Sequence, residues 1–322
     1  MVTLMFTKVA KNNYLKDKNM AEVKNYQEVV DIASKHLGKV GGDGYKDTYA
    51  PELLVKVPRY LNREGYGLTD KDFVGVDTWN CYEVSAITKK GLPVAGMLKI
   101  VCPSDSEYHV ESKSIKLYLN SFNMTRLGET SVDCILEIEE RVKTDLDKLL
   151  ETNTTVSFYT DLDDGKELSF EGYEDLGDIV DLDQIDFTAF QSDASQLLIE
   201  DTSETPKEIK LRSNLLRSNC RVTNQPDWGD VFIRMNGKNL PAVDSVAKYI
   251  VSHRTVSHFH EEICEMVFKH LMDAYQPDDL MVSCLYTRRG GLDINPIRAT
   301  HSRFIPDFFT DTDYRIQKTL RQ

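Results

Sequence analysis

The chain contains no apolar run approaching the roughly 20 residues that a membrane-spanning helix requires, so no helical membrane span is expected. Its cysteines are few and scattered. The six (81, 102, 134, 220, 264 and 284) form no CxxC pair and no tight framework, which excludes a secreted disulfide scaffold and suits free thiols in a reducing, cytoplasmic compartment. The N-terminus, MVTLMFTKVAKNNYLKDKN, lacks the long apolar core and small-residue cleavage site of a secretory signal. With Met20 close behind, residues 1–19 read either as a frayed extension or as the product of an upstream start codon. No GxGxxG motif follows a strand, so a Rossmann dinucleotide site is not indicated. A basic stripe is also missing. The net charge is −13, and fifteen Asp or Glu against one Lys between Asp161 and Glu204 make a local balance of −14, leaving the remainder at +1. The acidity belongs to one solvated segment, and nothing in the pattern offers a face for nucleic acid.

What is present is an ordinary globular composition, 41% hydrophobic and 28% charged, over 322 residues, enough for two domains. Residues 22–70 carry enough Gly and Pro to read as mostly loop. WNCYEVSAI and VAGMLKIVC, flanking TKKGLP, predict a β-hairpin. ESKSIKLYLNSFN predicts a loop leading into a short helix. The next helix is opened by a capping box of Thr130 and Asp133 and keeps Ile135, Ile138, Val142, Leu146 and Leu149 on one face. TVSFYTDL reads as a strand. In the second half VFIRMNGKNL predicts a strand entering an Asn-Gly turn, Val243–Ser252 a helix, Ser257 the cap of another, and LMVSCLYTRRGG a strand with a basic, glycine-containing tip. Two successive strand–helix–helix–strand halves suggest a duplicated α+β architecture, with the boundary in the acidic stretch, although no residue-level repeat is visible.

Four short strings carry chemistry. Cys220 sits in LRSNCRVTNQPDWGD among polar residues instead of the aliphatic ones that surround a structural thiol, with Asp227 seven residues on. An ordinary half-buried loop cysteine would read the same way. Arg221, if the segment is extended, points elsewhere and acts only through its field. Glu111, Ser112 and Lys113 at a helix start can be a solvated cap. They can equally be a carboxylate for the N–H edge of a purine-like base, followed by a phosphate-binding pair. His260 and Glu261 adjoin on a helix about 100° apart, so they can meet one ligand from two sides. His260 and Cys264 at i, i+4 could also join Cys220 around zinc, a weakly signalled set. Arg288-Arg289-Gly290-Gly291 is either an exposed turn or a pair of guanidiniums beside glycines suited to a dinucleotide's phosphates.

Together these strings resemble one family, the NADPH-dependent 7-cyano-7-deazaguanine reductases (nitrile reductases of the queuosine pathway) in their long two-module form. The resemblance runs from about Gly38 to Gln322 through YKDTYAPELLVKVPRYLNR, GVDTWNCYEVS, GLPVAG, ESKSIKLYLNSFNMTR, LRSNCRVTNQPDWGDV, FHEEICE and YTRRGGLDINPIR. It implies an α+β fold of two tandem tunnelling-fold (T-fold) domains, antiparallel sheets backed by helices, in a homodimer. The implied division is an N-terminal extension over 1–37, a first module over 38–165, an acidic connecting segment over 166–210 and a second module over 211–322. By the same resemblance Cys220 is the nucleophile and Asp227 the proton donor. Val110, Glu111, Ser112, His260 and Glu261 contact 7-cyano-7-deazaguanine, while Ser112, Lys113, Arg289 and Gly290 bind NADPH, and no metal takes part. A donor carboxyl needs its proton, so Asp227 is expected to be pushed up by burial near Trp228. Cys81 and Ile263 depart from the family pattern, and the acidic insert is long. An amidine-forming relative accepting ammonia, a zinc-dependent cyclohydrolase and a pterin- or purine-binding module are weaker alternatives. They have, respectively, no use for the NADPH residues, no convincing ligand set, and no need of Cys220 or Asp227.

Overall fold

The computed structural model describes residues 28, 30–33, 46–161 and 165–322. The expected extension over 1–37 lies outside the described residues except for 28 and 30–33, as does the glycine cluster at 41–44. In chain order the first half contains β1 (Lys56–Pro58), α1 (Tyr60–Tyr66), β2 (Val74–Ile87), β3 (Pro93–Pro103), β4 (Tyr108–Val110), α2 (Ser112–Asn120), α3 (Ser131–Leu150) and β5 (Thr155–Tyr159). The acidic stretch contributes β6 (Lys166–Leu168), β7 (Glu174–Asp175), α4 (Leu176–Ile179) and most of β8 (Ile199–Ser213). Then come β9 (Arg217–Asn219), β10 (Pro226–Pro241), α5 (Val243–Ser252), α6 (His260–Tyr275), β11 (Asp279–Tyr286), β12 (Leu292–Ala299), α7 (Asp307–Thr310) and β13 (Tyr314–Ile316).

The main sheet runs β5-β3-β2-β12-β11-β10-β8-β7, with β9 added beside β10, and is antiparallel except where β7 joins β8. The two halves of the chain meet inside it. Strand β12 of the second half pairs with β2 of the first over Leu292↔Cys81 to Ala299↔Val74. Strand alternation then gives the sheet two faces. One face packs under α2 and α3 in the first half and under α5 and α6 in the second. The opposite face carries Phe232, Leu285 and Ile297 beneath Phe308 and Phe309 of the C-terminal segment. Lys99 pins that segment by donating to the carbonyls of Phe308, Asp311 and Tyr314 at 3.1, 2.6 and 2.8 Å.

Several elements form for the reasons read in the sequence. α3 starts on the Thr130–Asp133 capping box and buries Cys134, Ile138, Val142, Leu146 and Leu150, a single stripe at helical spacing. α2 starts on Glu111, whose carboxylate accepts from the amides of Lys113 and Ser114 at 2.8 and 2.7 Å.

Three expectations are corrected. Asn236-Gly237 is not a turn. β10 runs through it with a register shift, and Gly237 is where the backbone passes Pro277, whose Cα would lie 3.0 Å from an added Cβ. Ser257 does not cap α6 but donates to Asn224, and the helix starts two residues later, with Phe259 at the cap position and Glu262 reaching back to its amide at 3.0 Å. The stretch before residue 70 holds β1 and α1, the latter closed by Gly67 at φ 64°.

Beneath the helix-covered face lies a buried ion cluster. Asp77 accepts from Arg59 (2.6 Å) and Arg298 (2.8 Å), and Glu265 accepts from Arg298 (2.9 Å) and Arg63 (2.7 Å). It ties β2, β12, α1 and α6 together, and so ties the two halves.

Candidate active site

Cys220 and Asp227 lie seven residues apart in sequence, yet a hairpin brings them to one end. β9 pairs with β10 in the register Asn219↔Pro226 and Ser218↔Asp227. The intervening loop closes through Cys220 N–H to the Gln225 carbonyl (2.8 Å) and Asn224 N–H to the Cys220 carbonyl (2.9 Å), with Asn224 at φ 54°. The same hairpin anchors the start of α6, since Asn219 donates to Val256 and accepts from His258. Arg221 does more than lend a field. It is buried and puts one nitrogen 2.6 Å from both oxygens of Glu262, fastening the cysteine loop to the first turn of α6.

The glycine tip is a tight turn between β11 and β12. Arg289 and Leu292 exchange backbone hydrogen bonds around Gly290 (φ 59°) and Gly291 (φ 82°), the positive angles of a primed hairpin turn. A side chain at Gly290 would strike Lys116 Nζ at 2.8 Å, and one at Gly291 would strike the Glu83 carboxyl.

These pieces converge on one cavity of about 230 Å³ between the sheet, the α2 N-terminus and the α6 N-terminus. Cys220, Asp227, Val110, Glu111, Ser112, His260, Glu261, Lys113, Arg289 and Gly290 all line it. Arg288 does not; its guanidinium lies 3.4 Å over the Tyr82 ring. Sequence reading missed Trp79, Leu292 and Ile294, which form the apolar floor, and His109 and Phe259 on the wall. These look like core residues in a sequence. The alternating positions of β2 and β12 are the one signal that could have placed the floor.

Asp227 departs from expectation. Burial raises its carboxyl, but a hydrogen bond and charge from His260, together with Arg289, outweigh that and leave it below the ordinary range. His260 Nε2 stands 3.3 Å from one oxygen, and Arg289 contacts the other while also bonding Gln225 at 2.8 Å. Trp228 is not the cause of any upward push. As the next residue of a strand it points to the other face, beneath Arg254 and Arg321. His260 is held flat on Tyr286, with ring centroids 3.8 Å apart at 8°.

The two buried carboxyls of the cavity, Glu261 and Glu111, are pushed the other way. Glu261 is raised to about 8 by burial and by Asp77. Glu111 is raised by burial, opposed by the α2 amides it caps. His109 is lowered to about 4 by burial and by Arg59. Cys264 turns into the core toward the carbonyls of Val282 and Pro296, so the zinc arrangement is not assembled. Among the described residues no three His, Cys, Asp or Glu are grouped to hold a metal ion. Among the same residues no helix is long and apolar enough to cross a membrane.

The family described as "Nitrile reductase, 7-cyano-7-deazaguanine-reductase N-term" matches residues 45–158, and that described as "QueF-like protein" matches residues 226–304. A protein of Hahella chejuensis named NADPH-dependent 7-cyano-7-deazaguanine reductase is 42% identical over 269 residues, 83% of this chain and 93% of the relative. The chain belongs to the NADPH-dependent 7-cyano-7-deazaguanine reductase family. Reductases of the same name from Rickettsia bellii and Colwellia psychrerythraea are 37% and 36% identical. They cover 85% and 92% of this chain and 95% and 99% of their own lengths. A solved structure, the archaeosine synthase QueF-Like in the apo form, aligns with 30% of this chain and 95% of its own at 18% identity and a TM-score of 0.27. The first matched segment carries Glu111, Ser112 and Lys113, and the second carries Asp227, His260, Glu261, Arg289 and Gly290. Cys220 falls between the two.

Proposed function

We propose that this chain reduces the nitrile of 7-cyano-7-deazaguanine to the aminomethyl group, feeding queuosine synthesis, through a thioimide on Cys220. The observation that carries this reading is the convergence of Cys220, Asp227, Glu111, Glu261 and Arg289 on one cavity. Below the usual volume range of ligand pockets, that cavity suits one bicyclic base.

A nitrile carbon is a poor hydride acceptor, and covalent addition divides the hard step into easier ones. Asp227 is ionised in the free protein, so it takes the proton of Cys220 as sulfur attacks the nitrile carbon. It then returns that proton to the nitrile nitrogen, giving a C(=NH)–S bond. Arg289 and His260 hold the carboxylate for both transfers. Glu111 and Glu261 accept from the N–H edge of the base. Val110 and the floor residues Trp79 and Ile294 exclude water, and Ser112 and His260 flank the base. The residues present fit NADPH: Lys113 and Arg289 supply cations, Ser112 the α2 N-terminus, and Gly290 a turn without a side chain to block approach. When bound, NADPH supplies one hydride per molecule, two for the four-electron reduction. Each hydride would be matched by one proton from solvent reaching nitrogen by way of Asp227, and Cys220 would be released as the free thiol with the amine as product.

We also read the two halves as tandem T-fold modules, 38–165 and 211–322, joined by 166–210 and assembled as a homodimer in a reducing cytoplasm. The continuous sheet with helices on one face supports the modules, and sedimentation tests the dimer.

The deciding assay follows NADPH absorbance on adding 7-cyano-7-deazaguanine. Wild type is expected to consume two NADPH per nitrile and Cys220→Ala none, and mass spectrometry without NADPH should find the adduct on Cys220. No consumption by wild type overturns the proposal.

A further inference from the structure

The cavity wall behind Glu261 holds a group that the scheme above leaves unused. His109 lies on β4 opposite Val57, one residue ahead of Val110. Its ring is buried and meets Phe259 edge-on, with centroids 5.1 Å apart. Its Nδ1 stands 3.8 Å from Oε1 of Glu261 and has no hydrogen-bond partner among the described residues. A buried polar atom left unsatisfied is costly, and such atoms call for an explanation.

The charged groups that face Glu261 are Asp77, Arg59 and Arg298. With Asp77 and Glu265, the three arginines of the buried cluster leave one positive charge in excess, which an ionised Glu261 would balance. His109 itself stays neutral through burial and Arg59, so it carries one N–H and one lone pair. A carboxylate that takes a ring N–H and an exocyclic amine together must present both oxygens in the plane of the base. A carboxylate free to rotate can take either donor alone. A donor fixed in the wall removes that freedom, and closing 3.8 Å to a hydrogen bond is a movement of the size that pockets make on binding.

We propose that His109, through an Nδ1–H donated to Glu261, is the positioning residue that orients this carboxylate and so sets the preference for a base carrying an exocyclic amine beside its ring N–H. The inference rests on the nitrile-reductase reading. It makes the residue before Val110 part of substrate selection and gives the unsatisfied nitrogen its partner in the complex.

The test compares His109→Leu and His109→Asn, the latter placing an amide N–H near the position of Nδ1. In a Cys220→Ala background, affinities are measured for 7-cyano-7-deazaguanine and for its analogue lacking the exocyclic amine. His109→Leu is expected to weaken binding of the first by about tenfold or more and to shrink the discrimination between the two, while His109→Asn restores most of both. If His109→Leu does not fold, His109→Ala takes its place. Unchanged affinity and discrimination, or a loss that Asn does not restore, overturns the proposal. Adduct formation on Cys220 in the otherwise wild-type protein separates the two levels. An adduct with no effect of His109 sinks this inference alone, whereas no adduct sinks the reductase reading and this inference with it.

Discussion

Asp227 lines the cavity with one carboxylate oxygen facing His260 and the other Arg289. In the mechanism proposed above, its lowered carboxyl would make it a proton acceptor first and a donor second, the order in which a thiol and a nitrile need it. Asp227→Asn should therefore slow appearance of the Cys220 adduct by about 10²–10⁴-fold in rapid-quench mass spectrometry, with base affinity little changed. Glu261 behaves oppositely. Raised to about 8, it is largely protonated at neutral pH, and in the proposed complex it would have to lose that proton to accept from the base. Affinity should strengthen by up to about tenfold per pH unit toward that value and level off above it, as titration calorimetry with Cys220→Ala can show. The sign for stability follows from the same shift. Its contribution is fully present below the ordinary value of 4.5 and lost as pH rises through about 8, so Glu261→Gln should out-melt wild type on the alkaline side. The residues named from sequence were legible because polar, chemistry-bearing types stood where core types would be expected. His109 and Trp79 were not, since burial and alternation, rather than residue type, bring them to the cavity. The error over Trp228 came from treating neighbours in sequence as neighbours in space within a strand.

At the scale of elements, turn geometry governs how the cations are presented. Gly290 holds φ 59° with Lys116 packed where a Cβ would go, so Arg289 reaches Asp227 and Gln225 from a fixed platform. Gly290→Val should raise the NADPH KM several-fold and, by shifting Arg289 from Asp227, also slow adduct formation in its absence, two effects that steady-state kinetics and mass spectrometry read separately. α3 was largely legible because its capping box and apolar stripe agree, although the buried stripe runs through Cys134 and Leu150 where Ile135 and Leu149 were expected. β10 was not, because the Asn-Gly pair that favours a hairpin is overridden by the packing of Gly237 on Pro277. No local rule in the sequence contains that contact. The acidic stretch was legible only as charge. That its last third pairs along β10 depends on a partner strand about thirty residues further on.

Across the whole molecule the sheet is shared. β2 and β12 join the halves, and the Asp77–Arg298–Glu265 cluster locks the joint beneath the cavity floor. Breaking a buried ion pair by removing one partner leaves an uncompensated charge, so Arg298→Met should cost about 3–5 kcal/mol in denaturant unfolding. It should also slow catalysis, because residues from both halves line one cavity. The resemblance implied that His260 and Glu261 would close on the base from the other half of the chain, and residues of both halves do line the cavity. Five of the six cysteines, meanwhile, are sealed in the interior, and Cys220 alone is partly accessible. Soft electrophiles should accordingly find a single target atom on the native chain, so that one equivalent of a thiol-specific label would both count active centres and extinguish them.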